Sequence, residues 1–208
     1  MTELLDALDE RRVLGALPAS VSGVVADSRR VKPGDCFVAV PGFRQDARRF
    51  AADAVRRGAG VVVTEGGPLP DIRVGQILVP SARRALSRLA SVWYEHPSRA
   101  LTLVGITGTN GKTTTSYLVD ALLRASGAPT GIIGTIQYVI GDEVRPAGQT
   151  TPEALDIQEM LATMRAGGVR GVALEVSSHA LALHRADDLD FDVAVFTNLT
   201  QDHLDFHG

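Results

Sequence analysis

The chain of 208 residues is long enough for one large domain or two modest ones. Its composition, 45% hydrophobic and 22% charged with a net charge of −3, excludes a wholly disordered chain and a basic surface for nucleic acid. The single cysteine, Cys36, fits a reducing compartment, no secretory signal opens the sequence, and no apolar run is long enough to span a bilayer. We therefore expect a monomeric cytoplasmic protein that binds neither nucleic acid nor membranes.

The first half of the chain alternates short strands with helices. Turn residues and apolar runs predict strands at residues 21–25, 36–40, 61–63 and 77–79, and helices at 4–8, 46–57 and 81–93. The sequence His96-Pro97-Ser98 then interrupts the helical pattern. We place a domain boundary there, which gives one domain at residues 1–97 and a second at 98–208.

The second half alternates more regularly. Strands are predicted at residues 101–107, 131–134, 171–176 and 192–197, a helix at 112–126, and a hairpin at 136–144. Another helix is expected to begin with Thr151 as its N-cap and to end at Gly167-Gly168. Apolar strands alternating with helices predict an α/β fold whose parallel sheet is covered on both faces. The sequence stops directly after a strand and a polar loop, so we expect this domain to be incomplete.

A glycine-rich segment lies between the first strand and the first helix of this second half. It reads Gly-Ile-Thr-Gly-Thr-Asn-Gly-Lys-Thr-Thr-Thr. Gly108 and Gly111 permit backbone angles that turn successive N–H groups toward a phosphate, and the helix N-terminus adds positive potential. Lys112 supplies a charge for the β- and γ-phosphates, and Thr113 a hydroxyl for Mg²⁺. The segment therefore predicts a phosphate-binding loop.

The strict phosphate-loop pattern G-x4-G-K-[ST] is not met, because Ile106 stands where its first glycine is expected. An incidental glycine-rich turn is the alternative. Lys32 and Lys112 are the two lysines among 21 basic residues, so the position of Lys112 at the head of a helix is informative. The order of strand, loop and helix favours the phosphate-binding interpretation.

Acidic, amide and histidine side chains follow the last two predicted strands. Glu175 ends one strand, Asn198 ends the next, and His203 and His207 follow. Because ligands bind beyond the carboxyl ends of parallel strands, we expect Glu175, Asn198 and the glycine-rich loop to lie together. Oxygen ligands beside a phosphate suit Mg²⁺. A zinc site at the i, i+4 pair of histidines is the alternative, which the absence of cysteine ligands disfavours.

Three segments of the second half resemble the Mur ligases, which are ATP-dependent enzymes that extend the peptide of the bacterial cell-wall precursor. They are the glycine-rich loop, Glu175-Val-Ser-Ser-His-Ala-Leu, and Asn198-Leu-Thr-Gln-Asp-His-Leu-Asp-Phe-His-Gly. The segment from Asp27-Ser28-Arg29 to Phe50 is similar to the UDP-binding domain of that family, so the resemblance covers essentially the whole chain. The Glu175 motif is typical of the branch that adds a diamino acid (diaminopimelate, lysine or ornithine) to UDP-N-acetylmuramoyl-L-Ala-D-Glu.

The resemblance implies a small α/β UDP-binding domain followed by an incomplete parallel-sheet ATPase domain with a phosphate loop. The implied ATP-binding residues are Gly108, Thr109, Asn110, Gly111, Lys112, Thr113 and Thr114. The implied contacts to the UDP-sugar dipeptide are Ala26, Ser28, Phe43, Arg44, Gln45, Thr150, Thr151, Ser177 and Arg185. The implied catalytic residues are Lys112, Glu175 and His203, and the implied Mg²⁺ ligands are Thr113, Glu175 and His203.

The implied reaction has two steps. The substrate carboxylate attacks the γ-phosphate of ATP to give an acyl phosphate and ADP, and an amine then displaces phosphate. Gln149 and Leu183 depart from residues that the family often has at substrate contacts. The family also uses a carbamylated lysine after the segment that corresponds to His207-Gly208. Since Lys32 and Lys112 do not occupy that position, the resemblance predicts that these 208 residues bind substrates but do not ligate them.

Two other readings compete with this one. A folate or cyanophycin-type amide ligase of the same superfamily is disfavoured by the Asp27-Ser28-Arg29 segment and by the Glu175 motif. A generic nucleotide-binding module with a phosphate loop, or an inactive remnant, is the alternative from another class. It predicts nucleotide binding without any affinity for a UDP-sugar.

Overall fold

A computed structural model of the chain describes residues 1–42, 47–201 and 204–207. The chain divides into two compact units, residues 1–93 and 94–208, and each unit has its own sheet. Within the described ranges, no helix combines the length and the apolar character that crossing a membrane requires.

The first unit contains five strands and three α-helices. The strands are β1 (Arg12–Leu14), β2 (Val24–Val25), β3 (Cys36–Ala39), β4 (Val61–Thr64) and β5 (Gly75–Leu78), and the helices are α1 (Thr2–Asp6), α2 (Ala51–Arg56) and α3 (Ala82–Trp93). The sheet order is β1-β5-β4-β3-β2. Strands β2 to β5 run parallel, and β1 pairs antiparallel with β5 at the edge.

The centre of this sheet is apolar on both sides, since every residue of β3 and β4 is buried. The predicted helices were found with shifted bounds. A 3₁₀ turn at Ala47–Phe50 precedes α2, which ends just before Gly58 at φ +106°. The strand predicted at residues 21–25 is reduced to Val24–Val25, and β1 was not predicted.

The second unit contains six strands and four α-helices. The strands are β6 (Thr102–Thr107), β7 (Thr130–Ile133), β8 (Gln137–Ile140), β9 (Glu143–Pro146), β10 (Gly171–Glu175) and β11 (Val193–Phe196), and the helices are α4 (Lys112–Ala125), α5 (Ala154–Ala166), α6 (Ser178–Ala182) and α7 (Leu204–His207). The sheet order is β11-β6-β10-β7-β8-β9. Strands β11, β6, β10 and β7 are parallel, and β8 and β9 add the predicted antiparallel hairpin.

Helices cover both faces of this sheet. Leu103 of β6 packs in a cluster with Leu161 of α5, whereas the next residue, Val104, packs in a cluster with Val119 of α4. Adjacent strand residues point to opposite faces. Helices α5 and α4 therefore lie on opposite sides of the sheet, and the predicted α/β fold with mainly parallel strands is confirmed.

The prediction that Thr151 caps α5 is wrong. The helix begins at Ala154, and Glu153 is its N-cap residue without a side-chain cap. The hydroxyl of Thr151 is used elsewhere, because it donates to Glu175 O over 2.8 Å and accepts from Ser177 N over 3.0 Å. These partners are distant in sequence, so a local capping rule could not find them.

Candidate functional site

The glycine-rich loop joins β6 to α4 in the conformation that its two glycines permit. Gly108 has φ +127° and Gly111 has φ +88°, both in the region that favours glycine. A Cβ at Gly108 would collide with Thr197 Oγ1 and with the carbonyl oxygen of Asn198. Close approach of another chain segment, as well as the backbone angle, therefore requires glycine at position 108.

The segment that follows β11 fixes the loop from the side. Asn198 Oδ1 accepts from the backbone N–H of Asn110 over 3.1 Å, and Asn198 O accepts from the N–H of Thr109 over 2.9 Å. Thr197 Oγ1 donates to Asn110 O over 2.7 Å. The expected meeting of Asn198 with the glycine-rich loop is therefore present in the structure.

Lys112 opens α4 and turns back over the loop. Its Nζ donates to Gly108 O over 2.7 Å and to Thr109 O over 3.1 Å. Both acceptors are neutral carbonyl groups, and no carboxylate pairs with this ammonium among the described residues. The positive charge is held at the mouth of the loop, where it is available to a phosphate.

Glu175, the last residue of β10, places a buried carboxylate beneath the start of α4. The residue is 1% exposed, and Oε2 accepts from the hydroxyls of Thr113 and Thr135, each over 3.0 Å. Oε1 accepts from the N–H of Thr135 over 3.0 Å. A Cβ at Gly134 would meet Oε1, so the glycine makes room for the carboxylate. In the described part of the chain, the hydrogen-bond donors to the Glu175 carboxylate are neutral hydroxyl and backbone N–H groups.

A second polar group lies just beyond the end of β10. Thr151, 1% exposed, bonds to Glu175 O and to the N–H of Ser177, as described above. Ser177 is the N-cap of α6, and its Oγ accepts from Ala180 N over 3.2 Å. Thr151 and Ser177 are thus held by backbone bonds at the carboxyl edge of the sheet, next to Glu175.

Arg185 belongs to the same group through its guanidinium. Nη1 donates to Gln149 Oε1 and to Thr151 O, each over 2.9 Å, and Nη2 lies 2.6 Å from Glu153 Oε1. Its Nε is buried and has no hydrogen-bond partner in the structure. A guanidinium can bind paired oxygens, and this mostly buried one is paired with the Glu153 carboxylate.

In the first unit, Ala26 and Ser28 follow β2 at the carboxyl edge of the parallel strands. Ser28 is buried and begins a 3₁₀ turn that Asp27 caps by accepting from Arg29 N over 2.9 Å. The Arg29 guanidinium also bonds the Asp27 carboxylate and holds the pKa of Asp27 below its ordinary value. This capped turn fixes the position of the Ser28 backbone.

Sequence comparison matches both units to one family. Residues 20–94 match the description "Mur ligase family, catalytic domain", and residues 106–208 match "Mur ligase middle domain". The chain belongs to the Mur ligase family. The resemblance inferred from the loop, the Glu175 motif and the Asn198 motif is therefore confirmed.

Individual Mur ligases are similar to most of the chain. A relative from Caldanaerobacter subterraneus subsp. tengcongensis, named UDP-N-acetylmuramoyl-L-alanyl-D-glutamate--2,6-diaminopimelate ligase, is 48% identical over 198 residues, which are 95% of this chain and 41% of the relative. A solved structure with that enzyme name has a TM-score of 0.75 at 30% identity, covering 90% of this chain and 38% of the other. The chain thus spans about two-fifths of the length of these Mur ligases.

A further solved Mur ligase contains a nucleotide. The MurF ligase from Thermotoga maritima in complex with ADP has a TM-score of 0.58 at 28% identity, covering 88% of this chain and 39% of that one. The similarity therefore extends over most of the present chain.

The Mg²⁺ that Mur ligases use with ATP fits the residues around Glu175. The fit rests on a buried carboxylate whose donors are all neutral, and on the Thr113 hydroxyl 3.0 Å from its Oε2. Mg²⁺ binds through one or two carboxylates together with phosphate oxygens. No cluster of three or more His, Cys, Asp or Glu side chains forms among the residues that the structure describes. Thr113 and Glu175 are the described residues that would hold the ion.

Several predicted site residues lie outside the described ranges. These are Phe43, Arg44, Gln45 and His203. The alternative zinc site also lies outside these ranges, because His203 is one of its two histidines.

The two departures from the family pattern, Gln149 and Leu183, have different surroundings in the structure. Gln149 makes a direct bond to Arg185, whereas Leu183 is the C-cap of α6 and makes no polar side-chain contact.

Sequence reasoning missed Thr135, which supplies two of the hydrogen bonds to Glu175. It also missed Ser116, fully buried in α4, whose Oγ donates to Thr113 O over 2.8 Å. Ser116 carries a signal, because it lies one turn after Thr113 on the same side of the helix. Thr135 carries none, since its partner is 40 residues away.

Proposed function

We propose that the protein serves an ATP-dependent ligase activity that adds a diamino acid to UDP-N-acetylmuramoyl-L-Ala-D-Glu in peptidoglycan precursor synthesis, and that these 208 residues by themselves bind the substrates without ligating them. The observation that carries the proposal is the convergence of Lys112, Glu175, Thr151 and Arg185 at one edge of the second sheet. The name of the Caldanaerobacter relative supports diaminopimelate as the amino acid that is added.

ATP is assigned to the loop from Gly108 to Thr114. The backbone N–H groups at the head of α4 would donate to the phosphates, and the macrodipole of this 14-residue helix favours negative charge there. Lys112 would leave its two carbonyl acceptors and donate to the β- and γ-phosphates. The Mg²⁺ held by Thr113 and Glu175, with His203 as a further proposed ligand, would neutralise phosphate charge.

The peptide end of the substrate is assigned to Thr150, Thr151, Ser177 and Arg185. Its terminal carboxylate attacks the γ-phosphorus, ADP leaves, and an acyl phosphate forms. The amine then attacks the acyl carbon, phosphate leaves, and an amide bond results. The Arg185 guanidinium orients an anionic group, and Lys112 stabilises the charge that moves onto the leaving ADP.

The uridine diphosphate is assigned to the first unit. The supporting observations are the position of Ala26 and the buried Ser28 at the carboxyl edge of β2, and the similarity of residues 20–94 to the Mur ligase family. The proposed contacts of Phe43, Arg44 and Gln45 follow β3 in sequence. We further propose a cytoplasmic monomer, since ATP and UDP-linked precursors are cytoplasmic compounds.

Calorimetric titration of the 208-residue chain tests this function. The probes are a non-hydrolysable ATP analogue with Mg²⁺, UDP-N-acetylmuramoyl-L-Ala-D-Glu, and UDP-N-acetylglucosamine as a matched control without the peptide. We expect saturable binding of the first two and weaker binding of the third. Nucleotide binding with no affinity for the muramoyl dipeptide would instead favour the generic nucleotide-binding module, and binding of neither would contradict both.

A further inference from the structure

Thr135 connects the two halves of the site in the second unit. Its Oγ1 lies 3.0 Å from Glu175 Oε2 and 3.1 Å from Thr150 Oγ1. Glu175 is a proposed magnesium ligand and Thr150 a proposed contact of the peptide substrate. Thr135 has no assigned role, and it lies two residues after the end of β7, in contact with both Glu175 and Thr150.

The direction of the hydrogen bonds follows from the chemistry of the groups. A hydroxyl has one proton, and a carboxylate only accepts. Thr135 therefore donates its proton to Glu175 Oε2, and the contact with Thr150 requires Thr150 to donate to Thr135. In the absence of ligands, Thr150 uses its single hydroxyl proton in the bond to Thr135 and does not offer it to a substrate. The bond from Thr135 also occupies one lone pair of Glu175 Oε2.

Thr150 is held in place for this contact by its neighbour. The Gln149 backbone is clamped by Tyr138, whose OH donates to Gln149 O over 2.6 Å and accepts from Gln149 N over 3.1 Å. On the other side, the Glu175 carboxylate is fixed by Thr113 and by the N–H of Thr135. The Gln149 backbone is fixed at one end and the Glu175 carboxylate at the other, so the hydrogen bonds of Thr150 and Thr135 can reverse by rotation of the hydroxyl protons alone.

We propose that Thr150, Thr135 and Glu175 form a reversible hydroxyl relay that couples substrate binding to metal-nucleotide binding. A cation that approaches Glu175 Oε2 displaces the Thr135 proton, which turns to Thr150 Oγ1. The Thr150 proton is then free for an oxygen of the substrate. In the opposite order, a substrate oxygen that accepts from Thr150 draws the Thr135 proton away from Glu175 and leaves a lone pair for the cation.

The sign of the coupling is positive, because the first ligand breaks a hydrogen bond that the second would otherwise have to break. Thermodynamic linkage requires the same factor in both directions. The relay rests on the proposed function, since it needs both ligands to bind this unit. Thr135 is a positioning residue in this scheme and does not itself contact the reacting atoms.

The test measures the affinity of the non-hydrolysable ATP analogue with Mg²⁺ by calorimetry, without and with saturating UDP-N-acetylmuramoyl-L-Ala-D-Glu. For the wild-type chain we expect the substrate to tighten nucleotide binding by about fivefold or more. Thr135→Val, which has the same shape but no hydroxyl, should bind each probe alone, and the factor by which substrate tightens nucleotide binding should fall to about one. Thr135→Ser should keep the wild-type coupling factor. Thr163→Val is the matched control, because Thr163 is exposed and bonds only within α5.

The outcomes separate the relay from the function on which it rests. Failure of the wild-type chain to bind either probe overturns the proposed function. Binding of both probes without coupling, or coupling that persists in Thr135→Val and in a second variant, Thr135→Ala, overturns the relay alone. The reverse titration, with substrate as titrant, must return the same factor by thermodynamic linkage, so it serves as the internal check on the measured coupling.

Discussion

The two units have the same kind of sheet but opposite charge. Residues 1–93 contain 14 Lys and Arg against 10 Asp and Glu, a formal charge of +4, whereas residues 94–208 contain 7 against 14, a formal charge of −7. Both are proposed to bind anionic nucleotides. Both units have exposed ion pairs, such as Asp27 with Arg29 in the first and Glu143 with Arg145 in the second, and the second unit also buries the Glu175 carboxylate with neutral partners.

On the proposed function, the net charge of a unit does not decide whether it binds phosphate. In the second unit the positive potential comes from backbone N–H groups at the head of α4 and from one lysine, at a distance of a few ångströms. Charges farther away are screened by salt over about 8–10 Å. An acidic unit can therefore bind ATP, provided that the loop and a cation supply the local charge.

The largest effect is expected from Lys112→Ala. Loss of two charge-assisted hydrogen bonds to phosphate, each worth about 1.5–3 kcal/mol, should weaken ATP binding by about a hundredfold or more. The fold should remain, because the Nζ contacts only loop carbonyls. Calorimetry of the folded variant measures the change.

Lys32→Ala is the matched control for this change, since Lys32 is the other lysine, lies exposed in the first unit, and alters the net charge equally. Equal loss of ATP affinity in both variants would mean that net charge, and not the local geometry of the loop, decides binding. ATP binding by Lys112→Ala at the wild-type affinity would contradict the assigned role of this lysine.

Thr151→Val tests whether the buried polar network of the second unit supports its fold. The change leaves Glu175 O and Ser177 N without their partner, which should lower the free energy of unfolding by about 1–3 kcal/mol. Urea unfolding measures it. Thr102→Val, at an exposed position of β6, is the control and should change little. A Thr151 variant as stable as this control would show that the network contributes nothing to folding.

Glu175→Gln tests the need for a cation. The variant keeps the shape but loses the negative charge, so Mg²⁺ should no longer strengthen nucleotide binding, a loss of about tenfold or more in metal affinity. Titrations with and without EDTA measure the Mg²⁺ dependence. Glu143→Gln, in the exposed β8–β9 hairpin, should retain it. Undiminished Mg²⁺ dependence in Glu175→Gln would remove this residue from the proposed ligands.

The smallest effect is expected in the first unit, from Asp27→Asn. The hydrogen bond from Arg29 lowers the pKa of Asp27 below its ordinary value of 3.8, so its contribution to stability is present above that pH and is lost as the pH falls through the folded-state value. Asparagine still accepts from Arg29 N, and exposed ion pairs contribute little. We therefore expect Asp27→Asn to lower the free energy of unfolding only slightly at pH 7.

Unfolding in urea at several pH values from neutral to below 3.8 measures this contribution. The difference between wild type and Asp27→Asn should shrink as the pH falls through that range. Asp71→Asn, at an exposed carboxylate without a side-chain partner among the described contacts, should show no such trend. A difference that stays constant with pH would assign the effect to something other than the Asp27 charge.

The sequence predicted the strands and helices that have strong local signals. Strand β6, the glycine-rich loop and α4 follow from an apolar run, two glycines and a helix start, and the edge strand β1 was missed because Arg12-Val13-Leu14 is short and mostly exposed. At the site, Glu175 and Asn198 were expected at the loop because parallel strands end at one edge. The roles of Thr135 and Thr151 depend on partners 24 to 40 residues away, which no periodicity reveals.

The packing of α4 against the sheet determines how precisely the N-terminus of this helix is positioned. Its two buried residues are polar, Ser116 and Asp120, and Asp120 accepts from Thr130 Oγ1 over 2.5 Å, while Leu118 and Leu122 are 60% and 72% exposed. An apolar face tolerates small rotations, since dispersion contacts have no direction. Directional bonds from Thr113, Ser116 and Asp120 do not, so they fix both the rotation and the axial position of the helix. The direction in which the backbone amides of its first turn point is therefore set by side-chain bonds spread over about two turns of the helix.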